Sequence, residues 1–363
     1  MTETDFNPDW VSSPGSTILD ILESRGLSVD SFCQNSGISR PFFNRLLRGY
    51  ERIDTDIASS LEQTLDVPSS FWISRDSQYL DSFTRKTTHA QRGMESSWAQ
   101  KFPISDMKRW GWLKHSSKKH YAEDLLKFFS VSTPDEWNLR FGHLCEAISF
   151  KKTEPDYINH YAIIAWLYKG QIDAEQISVQ PLDRNKLRES LEYIKRLTWF
   201  SDPSTFLPKL KKCLAGCGVA LVVEQSPRGS TATGATWVDR EGRATIIVSD
   251  RYKSDDHFWF AVMHEVSHLL LHDCSRVIVE MSSELQADKR EKEANEFAKN
   301  VILSGQQRDI LLSSPLSYKR IKLLAQKWRI APGLIVGQLQ HDKVIRYNEF
   351  NRLKRNYSWK GVF

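Results

Sequence analysis

The sequence predicts a multidomain, mainly α chain: an N-terminal helix-turn-helix bundle, a helical middle region, and a C-terminal α+β domain with a small antiparallel sheet. Three observations carry this. The chain has 363 residues, more than a single core usually serves. Apolar residues recur at helical spacing along most of it. Strand-like runs gather in one place: Gly218 to Glu224, Thr233 to Val238 and Ala244 to Val248, the last two joined by the turn residues Asp239 to Gly242. The expected division is 1–85, 86–205 and 206–347, followed by a basic tail at 348–363.

At the N-terminus, Pro14-Gly15 leads into an amphipathic helix over Thr17 to Arg25. Gly26-Leu27-Ser28 then caps a helix over Val29 to Ser36. Gly37-Ile38-Ser39 forms a tight turn, with Ser39 as the N-cap of a helix over Arg40 to Arg48 that Gly49 ends. Helix, glycine turn, second helix is the order of a helix-turn-helix. Ile53 to Leu65 and Ser69 to Trp72 add two more helical pieces. Residues 14–82 resemble the Xre-type helix-turn-helix of HigA-like antitoxins, with Cys33 where that family carries a small residue facing the turn. The resemblance implies that Phe43, Leu46 and Leu47 face inward. Ser39, Arg40, Phe42, Asn44, Arg45 and Arg48 would then meet DNA, since Arg forks onto guanine and Asn onto adenine. Residues 1–85 nonetheless hold 7 Arg+Lys against 13 Asp+Glu, a poor balance for phosphate attraction. A protein-docking use of the same helices stays open.

The middle region reads as helices at Ile104 to Leu113, Ala122 to Phe129, Pro134 to Phe141, Asp156 to Lys169 and Asn185 to Trp199. Residues 85–92 form a polar linker. His115, His120 and His143 have no ligand partner at close spacing.

The chemistry lies further on. His264-Glu265-Val266-Ser267-His268 is an H-E-x-x-H motif on an apolar helical run. A spacing of four puts both imidazoles on one helix face, where they can share a zinc ion. Zinc lowers the pKa of a water toward ~7, and Glu265 can take its proton. A catalytic zinc needs a third protein ligand, and the acidic run Glu291-Lys292-Glu293-Ala294-Asn295-Glu296 opens a second helix 20-odd residues on. Asn295 or Glu296 could hold a ligand imidazole through its far nitrogen.

Residues 219–347 resemble the ImmA/IrrE metallopeptidase family. The likeness rests on Gly234-Ala235-Thr236-Trp237, Ile246-Ile247-Val248, Arg251-Tyr252, Phe258-Trp259-Phe260, the HEVSHLLLH run and the EKEANEFA run. It implies a zincin-like endopeptidase domain with His264, His268 and Glu293 as zinc ligands and Glu265 as catalytic base. Ser267 stands where the family often has Gly. Oxyanion candidates are His257, Arg251, Tyr252 and Tyr318, and His272 is expected to pack behind the site rather than ligate.

The expected function is a regulatory zinc endopeptidase tied to a DNA operator, cleaving a repressor or a toxin-system or phage-related protein. The alternatives are an antitoxin or repressor whose peptidase-like domain binds a partner without turnover, and a general protease. A homodimer would suit a two-fold operator. No apolar run approaches 18 residues, and five scattered cysteines fit a reducing cytoplasm better than a disulfide framework. Cys213 and Cys217 read as buried thiols, and Cys274 as a weak ligand candidate. Residues 316–363 hold 11 Lys+Arg against 2 Asp+Glu, which suits nucleic acid, an acidic partner or a solvated face.

Overall fold

A computed structural model describes residues 13–47, 52–85, 95–114, 120–150, 159–239, 241–251, 253–275, 277–281 and 289–359. The chain divides into two compact units, Met1–Lys151 and Lys152–Phe363. Residues 86–205, read from sequence as one helical region, are therefore shared between them.

The first unit is helical. Ser13 caps α1 (Pro14–Ser24) by accepting from the Ser16 N–H, and Pro14 fills the first turn, where its missing donor costs nothing. Ser28 caps α2 (Val29–Ser36), and Gly37 ends it in the left-handed region at φ 70°. Next come α3 (Arg40–Leu47), α4 (Thr55–Leu65) and α5 (Ser69–Arg85). Ile18, Leu22, Phe32, Phe43, Leu46, Leu61 and Trp72 bury their side chains in one core. Gly15 lets α1 rest on the end of α3, where a Cβ would lie 2.2 Å from the Leu47 Cα. The Trp72 indole donates to the Val67 carbonyl at 3.1 Å and pins the turn into α5. Then follow α6 (Ile104–Arg109), α7 (Tyr121–Phe129) and α8 (Pro134–Phe150). Trp98, Phe102, Phe129 and Trp137 interlock here with ring centroids 4.9 to 6.0 Å apart, which accounts for the aromatic richness of this stretch.

The second unit opens with α9 (His160–Glu175), α10 (Arg184–Leu197) and α11 (Pro203–Ala215). Four strands follow: β1 (Val219–Glu224), β2 (Ala232–Val238), β3 (Ala244–Ser249) and β4 (Ile278–Met281). Their order is β1-β3-β2-β4. The expected small antiparallel sheet is instead mixed. β2 and β3 form the anticipated hairpin, but β1 lies on the far side of β3 and runs parallel to it. β4, a strand the sequence reading lacked, pairs antiparallel with β2. The hairpin turn is held by the Asp239 carboxylate, which accepts from the Glu241 and Arg243 N–H groups, with Gly242 at φ 78°.

The sheet is buried on both faces. Leu221, Val223, Ile246 and Val248 point toward the core under helix α12 (Asp255–Leu271). Ile247 points the other way, where Gly170 lets α9 cross closely: a Cβ there would fall 2.3 Å from the Ile247 Cδ1. After β4 come α13 (Lys289–Ile302), α14 (Gly305–Leu312), α15 (Tyr318–Trp328), α16 (Pro332–His341) and a 3-10 turn at Asn351–Leu353. Gly333 and Gly337 of α16 make room for Asp255 and Asp256 at the start of α12.

The C-terminal segment, expected as a basic tail, is folded onto the unit up to residue 359. Leu353, Tyr357 and Trp359 are buried in its core. The Trp259 indole donates to the Tyr357 hydroxyl at 2.8 Å, Lys354 pairs with Asp256 at 2.6 Å, and Asp255 and Arg355 exchange hydrogen bonds. Its aromatic residues supply apolar area, and its cations meet the acidic first turn of α12. No described helix is long and apolar enough to cross a membrane.

Candidate metal centre

α12 is buried along nearly all its sides, so its polar residues are carried into the interior with its apolar ones. Asp255 and Asp256 favour its N-terminal dipole. Ser267 is small and buried, and its hydroxyl donates back to the Met263 carbonyl at 2.6 Å. His264, Glu265 and His268 are all buried. α13 lies against α12, with Ala294 and Ala298 buried along its length.

Nε2 of His264 and Nε2 of His268 stand 2.9 Å apart. The Glu291 Oε2 lies 3.1 Å from the first and 3.4 Å from the second. The donor atoms of His264, His268 and Glu291 thus all fall within 4.8 Å of one another. Donors bound ~2.0–2.1 Å from a tetrahedral zinc stand about 3.3 Å apart, so the spacing and the His-His-carboxylate chemistry fit that ion.

The third member of the cluster is Glu291, not Glu293. Two residues along a helix turn the side chain by about 200°, so only one of the two can face α12. Glu291 keeps 13% of its side chain exposed and Glu293 keeps 47%. Glu293 accepts instead from the His272 Nε2–H at 3.1 Å and pairs with Lys289 at 3.6 Å. His272 then offers Nδ1 to the Nδ1–H of His268 at 3.0 Å. His264 is held in the same way, its Nδ1–H donating to the Asn295 Oδ1 at 3.0 Å. With each Nδ1 so engaged, each Nε2 faces the cluster and would coordinate a metal once it gives up any proton it carries. Asn295 and His272 therefore take the supporting positions anticipated for them. Glu296 accepts from Asn300.

Glu265 lies beside the cluster, about 100° further round the helix, against the β2 strand. Both its oxygens are buried, and the neighbouring Thr236, whose hydroxyl also donates to the Thr245 carbonyl at 3.4 Å, is near enough to favour its charged form. It fits because β2 has glycine at 234, where a Cβ would lie 2.1 Å from its Oε1. Burial, with help from the Glu280 and Glu291 charges, pushes its pKa up to about 8. Burial opposes charge on His264, but Glu280 and Glu291 outweigh it and push that imidazole up to about 10. Burial lowers His268. Glu291 would be raised by burial, yet the two imidazoles hold it far below the usual carboxylate range.

Glu280 is the residue that sequence reasoning missed. Its Oε2 lies 3.5 Å from the His264 Nε2. It sits on β4 opposite Gly234, so its side chain shares the face on which Gly234 meets Glu265. The β-branched run Val277-Ile278-Val279 just before it is the signal that could have revealed the strand.

The remaining expected site residues lie elsewhere. His257 pairs with Ser254 at 2.7 Å, Arg251 donates to the Ser230 carbonyl, and Tyr318 packs on Phe350. Tyr252 is outside the described residues. Cys274 is buried, and its thiol donates to the His268 carbonyl at 3.4 Å. In the first unit, Ser39 caps α3 by accepting from the Phe42 N–H at 3.4 Å. Arg40 pairs with Asp30 at 2.8 Å. Phe42 is half-buried against the core and Asn44 is half-buried. Arg45 lies on α3, its side chain undescribed, and Arg48 is outside the described residues, as is the expected linker beyond Arg85.

Residues 221–337 match the family model described as IrrE N-terminal-like domain, Peptidase_M78. This region of the chain is therefore metallopeptidase-like. The match contains the whole cluster, with all of β2 and β3, α12, β4 and α13, and covers less than half of the chain. A search of curated proteins finds no match. The family is typically zinc-dependent, in keeping with the His-His-Glu cluster.

Proposed function

We propose that the chain is a regulatory zinc-dependent endopeptidase coupled to a DNA-binding helix-turn-helix, cleaving a repressor or a toxin–antitoxin or phage-related protein. The observation that carries the peptidase reading is Glu265. It is a fully buried carboxylate beside the His-His-Glu trio, outside its donor set, and raised to about 8. Zinc held by His264, His268 and Glu291 would lower the pKa of a water toward ~7 and polarise a peptide carbonyl. Glu265 would serve as the base that accepts a proton from the attacking water as its oxygen adds to the carbonyl carbon. It would return that proton to the nitrogen as the C–N bond breaks. Asn295 and His272 keep the two imidazoles oriented throughout. β4, at the sheet edge beside the cluster, is where an extended substrate would add as a strand.

The coupling to DNA rests on the order of α2, the Gly37 turn and α3, and on Arg residues in and beyond α3. A second reading has one observation in its favour: Asp30 already holds Arg40, in an acidic N-terminal segment. There the helices dock a protein, and the peptidase-like domain binds a partner without turnover.

Glu265→Gln separates the two. It keeps size and removes the base. In cells making wild type or variant, the new protein N-termini that depend on wild type should fall ~10²-fold or more with the variant, while purified variant keeps its zinc. If no terminus depends on Glu265, the reading as a peptidase fails.

A further inference from the structure

A cleft of about 420 Å³ opens on the second unit, lined by Arg196, Trp199, Phe200, Gln326 and Arg329. None of the metal-cluster residues lines it, and its volume suits a small organic ligand. One wall is the end of α10 with the turn after it, and the other is the end of α15 with its own turn. Thr198, fully buried, ties the walls together: its hydroxyl donates to the Lys195 carbonyl at 2.7 Å and accepts from the Ala331 N–H at 3.2 Å. Trp199 and Phe200 are 41% and 40% exposed, although large aromatic rings are mostly buried. Arg355 donates to the Trp199 carbonyl at 2.8 Å and lies 5.8 Å from its ring centre, which steadies the indole. Arg196 and Arg329 have no carboxylate partner among the described residues, and no acidic residue lines the cleft. Arg196 gives only its Nε, to the Glu192 carbonyl at 3.3 Å. Arg329 ends α15 in the left-handed region, at φ 53° and ψ 46°, where glycine is the usual residue. A side chain is strained there, and this one puts a guanidinium on the cleft wall.

We propose that this cleft binds a nucleotide unit, its base stacked on the exposed rings of Trp199 and Phe200 and its phosphate held by Arg196 and Arg329. The assignment is independent of the metal reading. Two flat rings beside two unpaired guanidiniums match a ligand that is planar at one end and anionic at the other. The planar fork of arginine takes a phosphate through paired N–H groups. A base stacks on an aromatic side chain whatever its identity. The Gln326 amide, donor and acceptor together, can meet a base edge. An aliphatic ligand would leave both cations unpaired, and inorganic phosphate would leave both rings in water. The same unit occurs as a free nucleotide and within a single strand, and the two sources share this chemistry.

The test uses the full chain and equilibrium dialysis of radiolabelled AMP. Adenosine and ribose phosphate compete, each lacking one half of the unit, and a short single-stranded oligoadenylate is run beside them. AMP should bind saturably, and each half should compete at least about tenfold more weakly. Trp199→Ala should weaken AMP by roughly five- to a hundredfold, and Trp199→Phe should recover most of that loss. Arg329→Gly should weaken AMP about tenfold or more yet melt no lower than wild type, because glycine suits the left-handed turn. A purely structural Arg329 would leave AMP binding alone and lower Tm instead. A strand that binds more tightly than AMP, and loses affinity in the same variants, makes single-stranded nucleic acid the source; AMP bound more tightly than the strand makes it a free nucleotide. No saturable binding of either up to about 1 mM, or binding unchanged in both Trp199→Ala and Arg329→Gly, overturns the proposal and leaves the metal centre untouched.

Discussion

Gly234→Ala would place a methyl group where Glu265 now sits. Its Cβ would fall 2.1 Å from the Glu265 Oε1, 2.7 Å from Cδ and 2.9 Å from Cγ. Heavy atoms are comfortable at about 3.5–4.0 Å, so the closest overlap exceeds 1 Å by a margin. Neither side yields easily. Gly234 is paired with Val248 on one side and Glu280 on the other, and Glu265 is fully buried on α12. Overpacking of this kind costs about 1–3 kcal/mol. In a unit of this size each kcal/mol moves Tm by about 2–4 °C, so the variant should melt roughly 2–12 °C lower. Its zinc content should hold, because Glu265 is not one of the three donors, while peptide hydrolysis falls ~10²-fold or more. Gly305→Ala is the control, since a Cβ there meets nothing within 4 Å. Thermal melting, metal analysis and the assay of Glu265-dependent cleavage read the three effects. A Gly234→Ala chain with wild-type Tm and wild-type hydrolysis would refute the packing of Glu265 on β2.

Two further outcomes follow from the same geometry. Burial raises Asp255 from 3.8 to about 6, so the folded chain keeps a proton that the unfolded chain has lost. Stability therefore falls as pH rises through that window, and Asp255→Asn should gain on wild type between pH 4 and 6 and keep the gain above it; a Tm difference flat from pH 4 to 7 would contradict this. Glu293→Ala removes the end of the Glu293–His272–His268 chain, and zinc affinity by chelator competition should drop by up to about tenfold, the low end for an outer partner. A drop beyond about a hundredfold would make Glu293 a ligand.

What was legible in the sequence was whatever depended on spacing within one element. The H-E-x-x-H helix was readable because four residues along a helix return to the same face, and the apolar residues around it marked burial. The hairpin turn at Asp239 to Gly242 was readable from its turn residues, and the burial of Phe43 and Leu46 followed from the resemblance to a helix-turn-helix family. The third carboxylate was not. Glu291 and Glu293 both open α13, and the choice depends on how that helix is rotated against α12, which Ala294, Ala298 and Asn295 settle in three dimensions. The parallel pairing of β1 with β3 depends on a crossover, which periodicity does not encode. β4 is only four residues long, too short to stand out, and Glu280 was hidden with it. The C-terminal segment misled through charge: its cations are numerous, but its buried Tyr357 and Trp359 decide where it lies.

The central claim is that His264, His268 and Glu291 hold one metal ion. The most direct measurement is the zinc content of purified wild-type and Glu291→Ala chains after equilibration with zinc and removal of excess, with folding checked by circular dichroism. The account predicts about one zinc per wild-type chain and an affinity loss in Glu291→Ala on the order of 10³-fold, beyond the ~10–100-fold of an outer partner. A wild-type chain that takes up no zinc, or a Glu291→Ala chain that holds it as tightly as wild type, would contradict it.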